Sequence, residues 1–334
     1  MKNNEYILGI DTSNYKTSVA VTDRKKNIIC DFREFLKVRQ GEKGLRQSDA
    51  LFQHIKMLPV LMNKIRENFF GNFAAVACSF RPRPIESSYM PVFLAGENFG
   101  KSIASALQIP YMGFSHQEGH IEAVKAFSDI NDKEKFLTCH FSGGTCELLE
   151  VKENSKSKEI SSYDIKIIGG SKDISFGQVI DRAGVSMGYD FPSGEHLDEL
   201  ALKACSVTEF LTPVKVSGGY LNLSGIDTQI RNILFDKSKG SVCKTQAAAE
   251  KAAFVKEIFE KISVAMAKMI CQGAEISGIS DILMVGGVSS SLFIREKLSE
   301  ELKKSGINIL FGDKNLSQDN AVGIALLGGK SLWD

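Results

Sequence analysis

The sequence predicts an α/β protein of two lobes that share one topology and enclose a ligand cleft. Three observations carry that expectation. A strand, a small polar turn and two more strands open the chain and recur in its second half. A buried apolar run, residues 282–288, contains Gly286-Gly287 ahead of a helix, an arrangement that lets backbone approach a bound nucleotide. Two of the five histidines, His116 and His120, stand four residues apart; on a helix both rings can reach one metal ion.

The 334 residues suffice for two lobes with separate cores, and a hydrophobic content of 43% is ordinary for a globular chain. Lys and Arg number 41 against 40 Asp and Glu, which excludes a uniformly basic nucleic-acid coat but not a local patch. Seven cysteines, at 30, 78, 139, 146, 205, 243 and 271, form no C-x-x-C pair, so reduced thiols are expected. No signal-peptide core follows Met1, and no apolar run approaches the ~18 residues of a membrane span. A soluble cytoplasmic protein is the expectation.

Residues 6–11 read as a short apolar strand and 17–22 as an alternating one, joined by Thr12-Ser13-Asn14-Tyr15-Lys16. A turn at 23–27 leads to a third strand, 28–35. The loop 40–47 is polar, and Ser48 or Asp49 can cap the helix that carries Leu51, Ile55, Leu58, Met62 and Ile65 on one face. Residues 73–79 read as a buried strand, broken by Arg81-Pro82-Arg83-Pro84. The stretch 95–102 satisfies the loose form of a phosphate-binding loop. Pro91 interrupts any strand before it, however, and Phe99, Ile103 and Leu107 run one helix, 93–107, straight through it. Pro110 closes that helix.

Residues 135–141 form a strand, 142–145 a tight turn, 146–151 the returning strand, 152–158 a solvated hairpin tip and 165–168 a third strand. Helices follow at 176–187, carrying Asp181, and at 195–205, separated by the turn 189–194. The Gly- and Ser-rich stretch 206–244 is expected to be irregular and the most mobile surface. A long amphipathic helix, 246–274, shows Phe254, Ile258, Ile262 and Met269 on its core stripe. After 282–288 come a helix to Lys304, a last strand at 308–311, and a small-residue helix opened by Asp319-Asn320-Ala321.

Around His116 the spacing differs from His-Glu-x-x-His, because Glu118 lies two places on, and Gly119 disfavours a long helix. A pair of hydrogen-bonded helix-end histidines is the plain alternative to a metal site. Small-residue turns facing each other across a cleft suit phosphates. The set of turns and the Gly-Gly strand end is shared by the ATPase superfold of actin, the heat-shock chaperones and the sugar kinases.

Within that superfold the chain resembles the tRNA adenosine threonylcarbamoyltransferases (TsaD type, formerly called O-sialoglycoprotein endopeptidases or glycoproteases). The resemblance runs from Ile10 to Gly328. It rests on Ile10-Asp-Thr-Ser13, His116-Gln-Glu-Gly-His120, Ser142-Gly-Gly144, Phe191-Pro-Ser-Gly194, Gly286-Gly-Val288 and Asp319-Asn320-Ala321. It implies two duplicated ribonuclease-H-like lobes, 1–114 with the C-terminal helix 320–334 packed back on it, and 115–319. Between them it implies a nucleotide and metal cleft. His116, His120 and Asp319 match the metal ligands for one divalent ion, iron first, with zinc or manganese as alternatives. Asp11, Ser13, His140, Phe141, Ser142, Gly143, Gly144, Asp181, Gly194, Asp198, Gly286, Gly287 and Ser291 match nucleotide or substrate positions. Asp181 is expected to accept from ribose hydroxyls, and the nucleotide is ATP or threonylcarbamoyl-AMP. The implied reaction moves the threonylcarbamoyl group from threonylcarbamoyl-AMP to the exocyclic amine of the adenosine 3′ of the anticodon in tRNA. Implied partners are tRNA, a related ATPase-fold subunit and a small ATPase; no general base stands out.

The chain departs from the family's pattern in several places. Lys16 replaces an acidic residue, Ser142-Gly-Gly-Thr145-Cys146 replaces Ser-Gly-Gly-His-Thr, and Ser291 stands for Asn. Arg81-Pro-Arg-Pro84 replaces a Gly-Pro-Gly stretch, and Asp227 stands for a lysine. These changes also suit a second reading, a nucleotide- and metal-binding paralogue with a regulatory or scaffold role. A metallopeptidase ranks third, since the His-Glu-x-x-His geometry is missing, and a sugar kinase leaves two cleft histidines unexplained.

Overall fold

The computed structural model describes residues 5–13, 15–38, 45–154, 162–235 and 248–333. Three antiparallel strands come first: β1 (Tyr6–Asp11), β2 (Lys16–Asp23) and β3 (Ile28–Phe35). Then follow α1 (Gln47–Asn68), β4 (Phe73–Arg81), α2 (Phe93–Leu107), β5 (Tyr111–Ser115) and α3 (His116–Lys125). The second half repeats three antiparallel strands, β6 (Lys135–Phe141), β7 (Cys146–Glu153) and β8 (Tyr163–Ser171). Next are α4 (Phe176–Ser186), α5 (Gly194–Lys203), β9 (Val216–Ser217), β10 (Tyr220–Leu221), α6 (Ser224–Phe235) and α7 (Ala248–Ser277). β11 (Asp281–Val285), the 3-10 turn Gly287–Ser290, α8 (Leu292–Leu302), β12 (Asn308–Phe311), α9 (Lys314–Ser317) and α10 (Val322–Trp333) complete the described chain.

The first sheet runs β3-β2-β1-β4-β5, and the second contains β8-β7-β6-β11-β12 in the same relation, extended beyond β8 by β10 and β9. In each, β1 or β6 is antiparallel to its hairpin partner and parallel to the strand on its other side. The duplication read from the sequence is therefore a duplication of strand order.

Each sheet has a core on its outer face, and a third core lies between the sheets. There α3 and α10 bring Ile121, Val124, Ile324, Ala325 and Leu327 against Ile7 and Ala77 of the first sheet and Phe136, Leu149 and Val285 of the second. The α10 sequence VGIALLGGKSLW is apolar almost all round, as a helix enclosed on every side must be. Its contact with α3 depends on two glycines. A Cβ at Gly323 would stand 1.9 Å from the Gly119 carbonyl oxygen, and one at Gly119 would stand 2.7 Å from Ile324 Cδ1. Gly119, a poor helix former, is what lets these helices touch.

Several local expectations change. α1 begins after Arg46 without a side-chain cap, so neither Ser48 nor Asp49 caps it; Asp49 instead sits in the first turn, where its charge suits the helix dipole. β4 continues past Ser79 to Arg81. α2 runs unbroken through 95–102 and closes at Gln108 with φ 55°, so no phosphate loop forms there. The stretch expected to be irregular holds β9, β10 and α6. Strands of two residues show no periodicity, and α6 is anchored from outside the stretch, where Asp173 accepts from the Leu223 and Ser224 N–H groups at 2.8 and 3.0 Å. The rest of that stretch (236–244, with Cys243), residues 40–44, 155–158 and 246–247, and Asn14 lie outside the described residues. The described cysteines are free thiols, and no described helix is long and apolar enough to cross a membrane.

Candidate metal and nucleotide cleft

The parallel strands of both sheets point their carboxyl ends at one cleft, where α/β sheets hold ligands. Asp11 ends β1, Arg81 β4, Ser115 β5, Phe141 β6 and Val285 β11. α3 starts at His116 because Ser115 caps it. The Ser115 Oγ accepts from Glu118 N–H at 3.2 Å, and the Glu118 carboxylate accepts from Ser115 N–H at 2.8 Å, a closed capping box. His120 follows one turn later, its ring centroid 4.3 Å from that of His116.

Asp319, just ahead of α10, faces both rings. Its Oδ1 lies 3.2 Å from His120 Nε2 and 3.6 Å from His116 Nε2. One donor atom from each of the three residues falls within 4.8 Å of the others. On the far side of His116, Nδ1 meets the Asp11 carboxylate at 3.1 Å. Asp11 also accepts from Ser13 Oγ at 3.0 Å and from Ser79 Oγ, and it is fully buried. A metal-binding histidine commonly donates its other ring N–H to such a carboxylate, which aims the free nitrogen. Asp11 therefore stands behind His116, a role its position in a nucleotide-loop motif did not announce.

The donor set fits a divalent ion of the iron, zinc or manganese class. Among the described residues neither ring nitrogen of His120 makes a hydrogen bond of acceptable geometry, a costly condition for buried polar atoms that a bound ion relieves at Nε2. The protein charges alone settle on His116. Burial opposes its protonation, but Asp11 and Asp319 outweigh burial and raise its pKa to about 10. Burial, then the charge on His116, pushes His120 down. Burial would raise Asp319, yet the two histidines that face it hold it well below the carboxylate range. A positive charge is thus favoured where the three side chains meet.

The second lobe supplies the other wall. His140, on β6, lies with its ring centroid 4.9 Å from that of His120. It is buried, neither ring nitrogen has a hydrogen-bond partner among the described residues, and burial with the neighbouring imidazoles keeps it neutral. In the turn that follows, Ser142 Oγ accepts from Thr145 N–H at 3.0 Å and Gly144 N–H at 3.3 Å. A Cβ built on Gly143, Gly144 or Gly287 would meet nothing within 4 Å. Gly286 adopts φ 90°, and a Cβ there would lie 2.4 Å from the Phe141 carbonyl oxygen, so only glycine lets β11 end against β6. Asp181 on α4 accepts from Ser193 N–H at 2.9 Å, beside Gly194 at the start of α5, and burial raises its pKa.

Three side chains expected at the ligand are engaged elsewhere. Asp198 accepts from Ser291 Oγ and from the Leu292 and Phe293 N–H groups at 2.9 and 3.1 Å, and so holds the start of α8. Ser291 caps α8 by accepting from Ile294 N–H at 3.1 Å. Phe141 packs in the outer core against Phe176. The departures from the family pattern are also accommodated. Lys16 donates to Gln318 Oε1, next to Asp319. Asp227 pairs with Arg182 and Arg231 at 3.3 and 3.5 Å. Arg83 pairs with Glu147, which also accepts from Gln117 Nε2 at 2.8 Å. Sequence reasoning missed Ser79 and Arg81; the one available signal was the replaced Gly-Pro-Gly stretch.

A family model described as TsaD, tRNA N6-adenosine threonylcarbamoyltransferase, matches residues 90–326. A Neorickettsia sennetsu protein named tRNA N6-adenosine threonylcarbamoyltransferase is 28% identical over 333 residues, covering 97% of this chain and 92% of the relative. Among solved structures, component A of the (R)-2-hydroxyglutaryl-CoA dehydratase of Acidaminococcus fermentans is similar with a TM-score of 0.55 at 15% identity over 98% of each chain. A ROK-family glucokinase from Streptomyces griseus matches with a TM-score of 0.51 at 12% identity, over 96% of this chain and 98% of that one. These two establish the fold, the actin-like ATPase and sugar-kinase superfold.

Proposed function

The chain belongs to the TsaD family of tRNA N6-adenosine threonylcarbamoyltransferases, and from that premise we propose how its cleft carries out the transfer. The protein is a transferase that modifies an adenosine of tRNA. The donor is threonylcarbamoyl-AMP, the acceptor is the exocyclic amine of the adenosine 3′ of the anticodon, and AMP leaves. That amine is a weak nucleophile because its lone pair is delocalised into the purine, so the acyl group must be activated and held in line.

The meeting of His116, His120 and Asp319 carries this reading. These residues hold one divalent ion, which when bound supplies a Lewis acid for the acyl carbonyl. Asp11 faces His116 Nδ1 and keeps a proton there, which leaves Nε2 to ligate the ion in place of its own proton. Ser142, Gly143 and Gly144 receive the donor phosphate, and the open flank of the two glycines supports that role. Asp181 accepts from the ribose hydroxyls, with Gly194 beside it. Residues 1–114 with the C-terminal helix form one lobe and 115–319 the other, closing on the nucleotide. A related ATPase-fold subunit and a small ATPase act with the chain in the cytoplasm.

The test joins purified protein and its partner proteins with threonylcarbamoyl-AMP and unmodified tRNA, and reads the nucleosides by mass spectrometry. His116→Ala is run alongside. Modified adenosine from the wild type that disappears in the variant supports both the transfer and the metal site. Equal product from the variant sinks the metal assignment, and no product from the wild type sinks the transfer.

A further inference from the structure

Lys16, Arg83 and Asp227 depart from the family pattern, and each has a partner at hand. Arg81 does not. It is only 8% exposed, its Nε has no hydrogen-bond partner, and it belongs to no ion pair among the described residues. Its one notable contact is the Phe80 ring, 4.7 Å from the guanidinium carbon. The carboxylates of the surrounding elements are committed. Asp11 serves Ser13, Ser79 and His116; Glu147 serves Arg83 and Gln117; Glu118 serves Ser115 and the Ser162 N–H. A buried cation without a counter-charge is strongly unfavourable, and a guanidinium carries its charge permanently.

The position of Arg81 supplies the reason for tolerating it. Arg81 ends β4 and stands in register with Ser115, the residue before His116. The Pro82 carbonyl accepts from Gln117 N–H at 3.0 Å, which ties the Arg-Pro-Arg-Pro segment to the first turn of α3. Arg83, two residues on, reaches across to Glu147 on β7, the strand that follows the Ser142 turn. The segment thus lies between the histidine pair and the phosphate turn, and its prolines restrict how far it can move.

We propose that Arg81 forms the floor of an oxyanion subsite at the carboxyl end of β4, binding the carboxylate or phosphate of the small-molecule acyl donor. A planar guanidinium suits either group through paired N–H donors. The identity of the donor rests on the transferase reading; the binding of an oxyanion does not.

Calorimetry and thermal melting on the full chain test this with AMP, N-carbamoylthreonine and neutral adenosine as probes, for wild type, Arg81→Gln and Arg81→Met. The expected result is a ~10–100-fold loss of affinity for one anion in both variants, with adenosine binding unchanged. Loss confined to AMP identifies the phosphate as the bound group, and loss confined to N-carbamoylthreonine identifies the carboxylate. Both variants should melt no lower than wild type without ligand, because an uncompensated charge has been removed. Unchanged affinity for both anions overturns the proposal. So does a lower melting temperature with weakened adenosine binding, which would make Arg81 a structural residue. Arg81-dependent anion binding in a protein that transfers nothing to tRNA leaves the subsite standing and removes the transferase reading.

Discussion

The turn after β1 and the turn after β6 occupy equivalent places in two copies of one strand order, yet they are finished in opposite ways. After β1 the polar groups are tied together: Asp11 accepts from Ser13 and Ser79 and braces His116. After β6, His140 has no hydrogen-bond partner for either ring nitrogen among the described residues, and the Cβ positions of Gly143 and Gly144 are open. A satisfied buried network holds its members in one geometry, as the support behind an ion ligand requires. An unsatisfied one waits for groups that a ligand brings. Repetition of the fold provided the frame, and a few strand-end side chains divided the work between its halves.

The largest expected effect tests whether the braced half is the ion site. Asp319→Ala should lose bound metal by elemental analysis and lower the transfer rate by more than ~100-fold. Full activity in that variant would end the division drawn above. A finer test compares the two turns directly. Asp11→Asn should weaken metal affinity by ~10–100-fold, whereas Ser142→Ala should leave it unchanged. Equal weakening in a metal titration would show that the turns are not separate in function.

A third prediction concerns the clamp beneath both turns. Glu153 on β7 accepts from Lys125 of α3 at 2.8 Å and Lys330 of α10 at 2.7 Å. Burial would raise its pKa, but the two lysines outweigh burial and hold it below its ordinary value of 4.5. A depressed carboxylate contributes stability that is present above the unfolded pKa and lost as pH falls through the folded one. Glu153→Gln should therefore destabilise the protein by about 2 kcal/mol at pH 7, mainly by leaving the buried Lys125 ammonium without its counter-charge. It should also flatten the fall of Tm below pH 4.5, the ordinary carboxylate value. An unchanged acid limb would show that the clamp contributes nothing.

The smallest effect has the opposite sign. His140→Leu should raise stability in denaturant by about 1 kcal/mol, because it removes two buried unpaired nitrogens, while weakening nucleotide binding. A loss of stability would show that His140 has a structural partner after all, and the contrast between the turns would lapse.

Local periodicity made much of this protein legible. Period-2 strands and period-3.6 helices mark most elements, the recurring strand-turn-strand pattern marks the duplicated sheets, and the spacing of His116 and His120 places their rings on one helix face. The refusal of 95–102 to form a phosphate loop was readable too, since Pro91 and the helical stripe are local signals. Other features depend on segments that meet only in the folded chain. Nothing near Asp11 shows that it braces His116, and nothing near Asp198 shows that it holds the start of α8. Gly119 looks unfavourable until α10 arrives and Gly323 comes into contact with it. Hydrophobic period and capping chemistry act over a few residues and so remain visible in a sequence. Which buried carboxylate faces which histidine, and which arginine is left without a partner, is decided by close packing between distant segments, which leaves no periodic trace.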